Sequence, residues 1–408
     1  MHCVDVCKKG IRFSSYAQAR DFVFGLKRIN QSPGFDSLLT ALAMMGDPNK
    51  IENIIHVAGT NGKGSVCAMM SSVLRYAGYR TGMFTSPHLV DFTERFQVDG
   101  VQIPQERALE YINRIMALGI DLTFFECCLV MALSYFKDED CDWVVIEAGM
   151  GGRHDPTNVC VPRVSIITNV ELDHQEVLGS TIEEIASDKA GVIKEGIPVV
   201  TASNGTAMDT ILSEACAKRS QVIKASPYNG EIGLLGEHQS LNAGIVDAAA
   251  AAVGIPNQSI REGIKDAKWP GRLEYVDDRL LLDCAKNPAG IKSLAGYLDG
   301  IDRMKIIIFG AISSKDYHAM INGLPKCQSL IVTRADPAKG IDPKELAMIR
   351  QCAIKDDPID ALSYARSKAG ARGLVVVCGS CYLVGAVKSH IARNGIPVYS
   401  GSLIKPGI

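Results

Sequence analysis

Residues 54–65 read IIHVAGTNGKGS, and a helical pattern follows over residues 66–76. The apolar start predicts a buried strand, and the glycines predict a tight turn before the helix. Such a turn directs backbone N–H groups at phosphate, with Lys63 placed to reach the terminal phosphates. The sequence departs from the G-x-x-x-x-G-K-[ST] motif, because Gly64 follows the lysine and the hydroxyl residue, Ser65, comes one position later than in the motif. Strand, turn, lysine and helix in this order favour a phosphate-binding loop over a glycine-rich turn that binds nothing.

Short β-rich runs alternate with longer helical patterns on both sides of this loop. The first group of predicted strands covers residues 53–58, 80–85, 142–148, 164–169 and 198–202. After Trp269-Pro270-Gly271 the rhythm restarts, with predicted strands at residues 280–284, 304–310, 329–333 and 374–379. This alternation is typical of a parallel sheet flanked by helices. We therefore expect two α/β domains, residues 1–270 and 271–408, divided at the Pro-Gly pair.

The composition argues against several classes of protein. The chain has 408 residues, which at about 100 to 200 residues per domain favours two domains. Its 43 lysines and arginines against 45 aspartates and glutamates lack the basic surplus of a nucleic-acid-binding protein. No apolar run reaches the roughly 18 residues of a membrane span, and residues 1–13 resemble neither a secretory signal nor a transit peptide. We expect a soluble, cytoplasmic protein without a nucleic-acid or membrane partner.

The cysteines favour a reducing compartment. There are 13 of them, an odd number, and many lie inside apolar runs, which is typical of buried thiols and not of a disulfide framework. Cys378 and Cys381 form a lone C-x-x-C. A zinc site needs about four ligands, and no second pair stands nearby. We assign this pair a structural role, with redox or metal chemistry as the alternative.

A carboxylate, Glu147, ends the apolar run of residues 142–147, and a glycine-rich segment follows it. Ligands of open α/β sheets bind beyond the carboxyl ends of the strands. Glu147 is therefore placed where a magnesium ion could bridge the protein and the phosphates of ATP. The glycines at 149, 151 and 152 would leave room for a substrate. The alternative is an ordinary loop carboxylate.

A second strand end carries Asn169-Val170-Glu171-Leu172-Asp173-His174. Alone, His174 would be interpreted as a polar packing residue. Together with Glu147 and the phosphate loop, it is interpreted as a metal ligand. Lys189 lies on the helical pattern of residues 181–192, and its spacing alone does not distinguish it from a solvated lysine.

Short sequence motifs that resemble those of a known protein family occur along the whole chain. They are GTNGKGS at 59–65, TSPHL at 85–89, EAGMGGRHDPTN at 147–158, LDH at 172–174, KAG at 189–191, GEHQ at 236–239, WPGRLE at 269–274 and GS at 379–380. In this order they resemble the folylpolyglutamate synthase and dihydrofolate synthase family of Mur-type ligases. The resemblance implies a P-loop NTPase-like N-terminal domain, a smaller Rossmann-like C-terminal domain, and an active site in the cleft between them.

The resemblance also implies the reaction. ATP would phosphorylate a carboxylate of dihydropteroate or a folate, and L-glutamate would attack the acyl phosphate to form an amide, with release of ADP and phosphate. The resemblance also implies that the protein is a monomer. Two magnesium ions and Lys63 would spread the phosphoryl charge. Arg272 would reach the γ-phosphate when the domains close and water is excluded.

The resemblance assigns site residues one by one. The nucleotide would be bound by Gly59, Thr60, Asn61, Gly62, Lys63, Gly64 and Ser65, together with Asn242, Arg272 and Asp283. The magnesium ligands would be Ser86, Glu147 and His174, and Lys189 matches a lysine that is often carbamylated. The pterin site would be lined by Thr123, Phe124, Phe125 and Glu126 and by His154, Asp155 and Pro156. The catalytic set would be Lys63, Glu147, His174, Lys189 and Arg272.

Two positions depart from the family pattern. Where the family has Asp-Gly-Ala-His-Asn-Pro, residues 283–288 read DCAKNP, so Lys286 replaces a histidine near the nucleotide and the amino acid. Lysine keeps a positive charge but cannot shuttle protons as imidazole does. The second is residues 154–156, where His154 replaces the commoner leucine or phenylalanine and Pro156 replaces alanine and stiffens the backbone. A ligase for another carboxylate or amino acid therefore stays open, whereas the intact catalytic set disfavours a non-catalytic nucleotide-binding homologue.

Overall fold

The computed structural model describes residues 11–28 and 34–394, which form two compact units. The first unit contains the chain up to Ser86, then Phe92–Glu231 and Leu241–Ala267. The second contains Pro87–Asp91, Ile232–Ser240 and the chain from Lys268 onward. Each unit has a sheet of its own. The first ten residues, part of the segment on which the cytoplasmic expectation rested, lie outside the described residues.

The first unit is built on an eight-stranded sheet. Its strands are β1 (Ile54–Ala58), β2 (Thr81–Phe84), β3 (Phe96–Val98), β4 (Val101–Gln102), β5 (Trp143–Glu147), β6 (Val164–Ile167), β7 (Val199–Thr201) and β8 (Val222–Lys224). The spatial order is β4-β3-β2-β5-β1-β6-β7-β8. All pairs from β2 to β8 are parallel, and β3 and β4 are added antiparallel at one edge. The central strand β1 is buried along its whole length.

Ten helices accompany this sheet in the described part of the chain. They are α1 (Tyr16–Phe24), α2 (Asp36–Met44), α3 (Lys63–Tyr76), α4 (Gln105–Ala117), α5 (Phe124–Asp138), α6 (Gln175–Leu178), α7 (Ile182–Ala190), α8 (Gly205–Ala217), α9 (His238–Ala252) and α10 (Asn257–Asp266). Helix α5 is buried over nearly all its length, as its apolar sequence requires. It packs into a large core whose rings include Phe84, Phe96 and Phe136. This packing fixes β5 and the loop that follows it.

The second unit has a six-stranded sheet. Its strands are β9 (Glu274–Asp277), β10 (Leu280–Leu282), β11 (Lys305–Phe309), β12 (Ser329–Val332), β13 (Ala353–Ile354) and β14 (Leu374–Cys378). The order is β13-β12-β11-β14-β10-β9, and only β9 runs antiparallel to its neighbour. Its helices are α11 (Pro288–Asp299), α12 (Tyr317–Asn322), α13 (Pro343–Ile349), α14 (Pro358–Ala369) and α15 (Cys381–Arg393). Two apolar cores cover the two faces of this sheet.

The predicted fold class is confirmed: the first unit is a P-loop-type α/β domain and the second a smaller Rossmann-like one. All nine predicted strands are present, as β1, β2, β5, β6, β7, β10, β11, β12 and β14. No predicted strand corresponds to β3, β4, β8, β9 or β13, which are two to four residues long. None of the helices that the structure describes combines the length and the apolar character needed to cross a bilayer.

Candidate active site

The phosphate loop connects β1 to α3 and depends on two glycines with positive φ. Gly59 has φ 139° and Gly62 has φ 84°, values that side chains other than glycine rarely adopt. A Cβ at Gly59 would overlap the hydroxyl of Thr168, and a Cβ at Gly62 would overlap the side-chain oxygen of Asn242. The predicted nucleotide residue Asn242 therefore lies directly against the loop. Gly64 and Ser65 are buried in the first turn of α3.

A second loop holds the phosphate loop in place. The backbone N–H of Asn61 donates to Asn169 Oδ1 at 2.9 Å, and Asn61 Nδ2 donates to Glu171 Oε2 at 2.8 Å. Thr60 Oγ1 accepts from the N–H of Glu171 at 3.1 Å and donates to its carbonyl at 3.3 Å. With their side chains and their backbone N–H groups bonded to the loop after β6, Asn61 and Thr60 fix the shape of the turn.

Two lysines meet at one carbonyl of this turn. Lys63 Nζ donates to the carbonyls of Gly59 at 3.1 Å and Thr60 at 3.3 Å, and Lys189 Nζ donates to Gly59 at 3.1 Å. Burial, and after it the positive charge of Lys63, lowers the pKa of Lys189 to about 7. The structure thus brings together two of the predicted catalytic residues. The positive charge of Lys63 lies in the first turn of α3, which is itself favourable for anions.

Glu147 and Ser86 lie side by side at the ends of neighbouring parallel strands. The backbone N–H of Ser86, two residues after β2, donates to Glu147 Oε2 at 2.9 Å, and Glu147 is buried at the end of β5. The pairing of β2 with β5 brings these two residues together. A carboxylate and a serine hydroxyl are the hard oxygen donors that suit magnesium.

His174 occupies a strained position with φ 52°, immediately before α6. Its ring nitrogens lie 3.9 Å from Asp173 Oδ2 and 3.7 Å from Glu176 Oε1. Within residues 11–28 and 34–394, no three His, Cys, Asp or Glu side chains are grouped so as to hold a metal ion. Ser86 and Glu147, two members of the predicted trio, are joined by a hydrogen bond, and the ligand role of His174 stays a prediction.

The glycine-rich segment after Glu147 packs against protein, and the expectation that its glycines leave room for a substrate is wrong. A Cβ at Gly149 would lie 2.7 Å from the ring of Phe125, and one at Gly152 would lie 2.6 Å from the carbonyl of Lys189. A Cβ at Gly151 would overlap the carboxylate of Asp188, which also accepts the Gly152 N–H at 2.8 Å. These glycines allow the loop to contact α7, and so they position Lys189.

Residues 123–126, predicted to line a pterin site, form the start of α5. Thr123 is its N-cap, and it exchanges hydrogen bonds with Glu126: Thr123 N–H donates to Oε2 at 2.7 Å, and Glu126 N–H donates to Thr123 Oγ1 at 3.3 Å. Phe124 is buried in the core, with the guanidinium of Arg28 4.1 Å from its ring centre. Phe125 is half-buried against Gly149. Of the four, Phe125 is the most available to a ligand.

Residues 154–156, the other predicted pterin segment, open a short 3-10 turn. Asp155 is buried and accepts the N–H of Met150 at 2.9 Å and the N–H of Thr157 at 3.0 Å. Burial raises the pKa of the Asp155 carboxyl. His154 is exposed, and Pro156 fills the first position of the turn, where a missing N–H costs nothing. The local fold thus accommodates the proline.

A buried histidine that the sequence did not single out supports this segment. His56, fully buried in β1, lies with Nε2 2.8 Å from Thr157 Oγ1, and Thr157 Oγ1 also hydrogen-bonds Asp155. Burial lowers the pKa of His56 to about 3, so the ring is neutral. No sequence signal identifies this chain of contacts, because His56 and Thr157 are 101 residues apart and meet only in the folded protein.

Three predicted residues lie together in the second unit. Asp283, at the end of β10, accepts the N–H of Leu273 at 2.9 Å and of Ala285 at 2.8 Å, and the charge of Arg272 acts on its carboxylate. Burial raises the pKa of Asp283 despite that charge. Lys286 is half-buried on the same turn, just before Asn287 caps α11. A buried carboxylate that feels the charge of Arg272 thus occupies the carboxyl end of the second sheet.

Comparison with known proteins agrees with both units. Residues 57–230 match the Mur ligase middle domain, and residues 271–381 match the Mur ligase glutamate ligase domain. The chain is 33% identical to the dihydrofolate synthase/folylpolyglutamate synthase of Bacillus subtilis, over 93% of this chain and 100% of that one. It is 34% identical over 94% of its length to a probable bifunctional folylpolyglutamate synthase/dihydropteroate synthase of Haloferax volcanii, of which it spans about half, 51%.

Solved structures show the same likeness. The Mycobacterium tuberculosis folylpolyglutamate synthase complexed with ADP gives a TM-score of 0.86 at 27% identity, covering 93% of this chain and 99% of that one. E. coli FolC in complex with DHPP and ADP gives 0.86 at 26% identity, covering 93% and 98%. The fold is that of a Mur ligase. Within that class, the chain belongs to the folylpolyglutamate synthase and dihydrofolate synthase family.

Proposed function

We propose that this protein is an ATP-dependent ligase that joins L-glutamate to dihydropteroate, to a folate, or to both, with release of ADP and phosphate. The observation that carries the proposal is the meeting of Lys63 and Lys189 at the Gly59 carbonyl, within the phosphate loop. The cation of Lys63, at the first turn of α3, suits a substrate with several phosphate charges. The relatives that were solved with ADP or with DHPP support the same substrates.

In the proposed reaction, the phosphate loop holds ATP while a carboxylate oxygen of the acceptor attacks the γ-phosphorus. The bond to the β-γ bridging oxygen breaks, ADP leaves, and an acyl phosphate forms. The amine of glutamate then attacks the acyl carbon, and phosphate leaves with formation of the amide. Lys63 would stabilise the charge on the transferring group, while Thr60 and Asn61, anchored to the loop after β6, would keep the turn rigid.

Magnesium is proposed as the metal, with Glu147 and Ser86 as protein ligands. Magnesium usually takes one or two carboxylates and completes its shell with water and substrate phosphates. A pair of residues with oxygen donors at the strand ends therefore fits, although no group of three His, Cys, Asp or Glu side chains that could hold a metal exists among the described residues. Bound there, the metal would neutralise phosphate charge. We retain His174 and a second ion as proposals from the family resemblance.

Carbamylation of Lys189 is also proposed. A lysine reacts with carbon dioxide only as the neutral amine, and a pKa of about 7 leaves a large share of Lys189 neutral near pH 7. The product is an anionic carbamate plus one proton. Nuclear magnetic resonance with ¹³C-bicarbonate should show a carbamate signal that is absent in Lys189→Met. Identical spectra of the two proteins would contradict the modification.

The remaining assignments are proposals of the same kind. We assign ATP binding to residues 1–270 and the glutamate ligase role to residues 271–408, with Arg272 and Asp283 contributing to the nucleotide site. Residues 123–126 and 154–156 are assigned to the pterin site, with Phe125 its foremost contact. A cytoplasmic monomer is proposed from the sequence.

The test of this function is ATP cleavage that requires both organic substrates. ADP release should need a pteroate- or folate-type carboxylate and L-glutamate together, and mass spectrometry should find the glutamylated product. Lys63→Ala should lower the rate at least a hundredfold, whereas Lys224→Ala, an exposed lysine on β8, should leave it unchanged. A normal rate in Lys63→Ala, or no stimulation by any folate or pteroate, would overturn the proposal.

A second candidate keeps the mechanism and changes one substrate. It is favoured by Lys286, which gives the DCAKNP turn a permanent cation in place of the family's histidine. A panel of amino acids and carboxylate acceptors, with products identified by mass spectrometry, separates the candidates. Turnover with glutamate and a pteroate excludes the alternative.

A further inference from the structure

Two cysteines distant in the sequence meet in the second unit. Cys284 follows β10 and Cys381 begins α15, immediately after β14, which is the parallel neighbour of β10. The Cys284 thiol donates a hydrogen bond to the sulfur of Cys381. The N–H of Cys284 is held by the carbonyl of Gly271 at 2.8 Å. Cys284 and Cys381 also belong to the same buried apolar cluster, and the two thiols are therefore neighbours.

The pair Cys284 and Cys381 differs from the C-x-x-C pair, Cys378 and Cys381, that the sequence analysis identified. Cys378 of the C-x-x-C is fully buried with Phe309 in the core on one face of the sheet, whereas Cys381 lies in the core on the other face. Cys378 thus has the structural role that was predicted for it. The sulfur that faces Cys381 comes instead from Cys284, at the position where the family's turn has glycine.

The surroundings make the two sulfurs chemically different. The hydrogen bond from Cys284, then the positive charges of Lys286 and Arg272, hold the pKa of Cys381 below the usual range for a thiol. Cys381 also lies in the first turn of α15, where the helix dipole favours a thiolate. The pKa of Cys284, the hydrogen-bond donor, is raised well above its usual value. One sulfur is thus prepared as a nucleophile and the other as its protonated partner.

We propose that Cys284 and Cys381 are a redox modification site, at which hydrogen peroxide converts the two thiols to a disulfide. The Cys381 thiolate attacks one peroxide oxygen and the O–O bond breaks. Cys381 becomes a sulfenic acid, and hydroxide is the leaving group. The Cys284 sulfur then attacks the sulfenic sulfur, the S–O bond breaks, and its proton leaves with the oxygen as water. The two sulfurs supply the two electrons that reduce the peroxide. Cys381, 9% exposed against 3% for Cys284, is the more accessible of the two.

The modification would act on the neighbouring turn. A disulfide bond is about 2.05 Å long, shorter than any contact between two thiols. Its closure draws Cys284 toward α15 and displaces the adjacent Asp283, which holds the N–H groups of Leu273 and Ala285. This consequence rests on the proposed function, because it assumes that Asp283 and Arg272 serve the nucleotide. We expect oxidised protein to lose at least tenfold in ligase rate and to regain it on reduction.

The test maps the bond directly. The full-length chain is reduced, desalted, treated with hydrogen peroxide, blocked with iodoacetamide, digested without reductant and analysed by mass spectrometry. A linked pair of peptides containing Cys284 and Cys381 should form before any other pair among the 13 cysteines and disappear with dithiothreitol. Cys284→Ser and Cys381→Ser should each lack it, whereas Cys216→Ser, which changes an exposed thiol, should form it as the unmodified protein does.

Three results would overturn the site. In the first, iodoacetamide still labels both Cys284 and Cys381 after peroxide treatment. In the others, Cys381 is linked to Cys378, or Cys381 is oxidised to sulfinic acid without a crosslink. The mapping uses the unmodified sequence, so it does not depend on whether a serine variant folds. If the crosslink forms but the reduced protein shows no ligase activity with any substrate, the proposed function fails and the site stands.

Discussion

Replacing Lys189 by methionine should stabilise the protein while removing its activity. Lys189 is 3% exposed, and burial is the main reason that its pKa is about 7 instead of 10.5. A depressed lysine pKa means that the folded state disfavours the ammonium form. Between pH 7 and 10.5 the unfolded chain binds more protons than the folded chain, and stability rises with pH over this interval.

The magnitude follows from the difference of about 3.5 pKa units. At about 1.4 kcal/mol per unit, the cost of burying the charged lysine approaches 5 kcal/mol well below pH 7 and is about 4 kcal/mol at pH 7. Losing the hydrogen bond from Lys189 to Gly59 reduces the stability gained by the substitution by about 1 kcal/mol. Methionine has a similar length and no charge, and the net gain is about 3 kcal/mol at pH 7. For a domain of this size the melting temperature should rise by about 6 to 12 °C.

The assay is thermal unfolding followed by circular dichroism, in nucleotide-free buffer purged of carbon dioxide, at pH 6, 7, 8.5 and 10. The advantage of Lys189→Met should be largest at pH 6 and should nearly vanish by pH 10. Lys224→Met, at an exposed lysine, should stay within about 2 °C of the unmodified protein at every pH. An advantage that does not change with pH, or a lower melting temperature at pH 7, would refute the argument that burial lowers this pKa.

Three further substitutions separate structural from chemical roles. Gly62→Ala places a side chain at φ 84° against Asn242 and should raise the KM for ATP about tenfold; an unchanged KM in steady-state kinetics would contradict the geometry. Glu147→Gln keeps the acceptor for Ser86 but loses the charge, so the magnesium concentration for half-maximal rate should rise at least tenfold with little change in melting temperature; an unshifted magnesium titration would remove Glu147 from the metal site. Thr123→Ala removes the N-cap of α5 and should lower stability by about 1 kcal/mol with kcat preserved; a raised KM for the acceptor without a loss of stability would instead make Thr123 a substrate contact.

The interior strands could be predicted from the sequence alone, because a strand that is buried on both faces consists of a run of mainly apolar residues. β1, β5, β6 and β14 are such runs, and each was predicted within two residues at either end. The strands without a signal include all four sheet edges, β4, β8, β9 and β13. An edge strand is half-exposed and short, and both residues of β4 are exposed, so no apolar pattern distinguishes it from a loop.

Local chemistry also specified the phosphate loop, because Gly59, Gly62 and Lys63 lie within five residues and act through the backbone of one turn. Contacts between distant segments could not be obtained in this way. The spacing of Lys189 was equally compatible with a solvated lysine, and its burial comes from the packing of α7 against the loop that contains Gly151 and Gly152.

The same limit explains the thiols. The spacing of Cys378 and Cys381 drew attention to a pair that the β14-to-α15 connection sends to opposite faces of a sheet. The partner of Cys381 lies 97 positions earlier in the numbering, brought to it by the parallel pairing of β10 with β14. Backbone conformation is set by neighbours in the chain and can be inferred from them. Charge burial and side-chain pairing depend on which strands are adjacent, and that adjacency exists only in the folded protein.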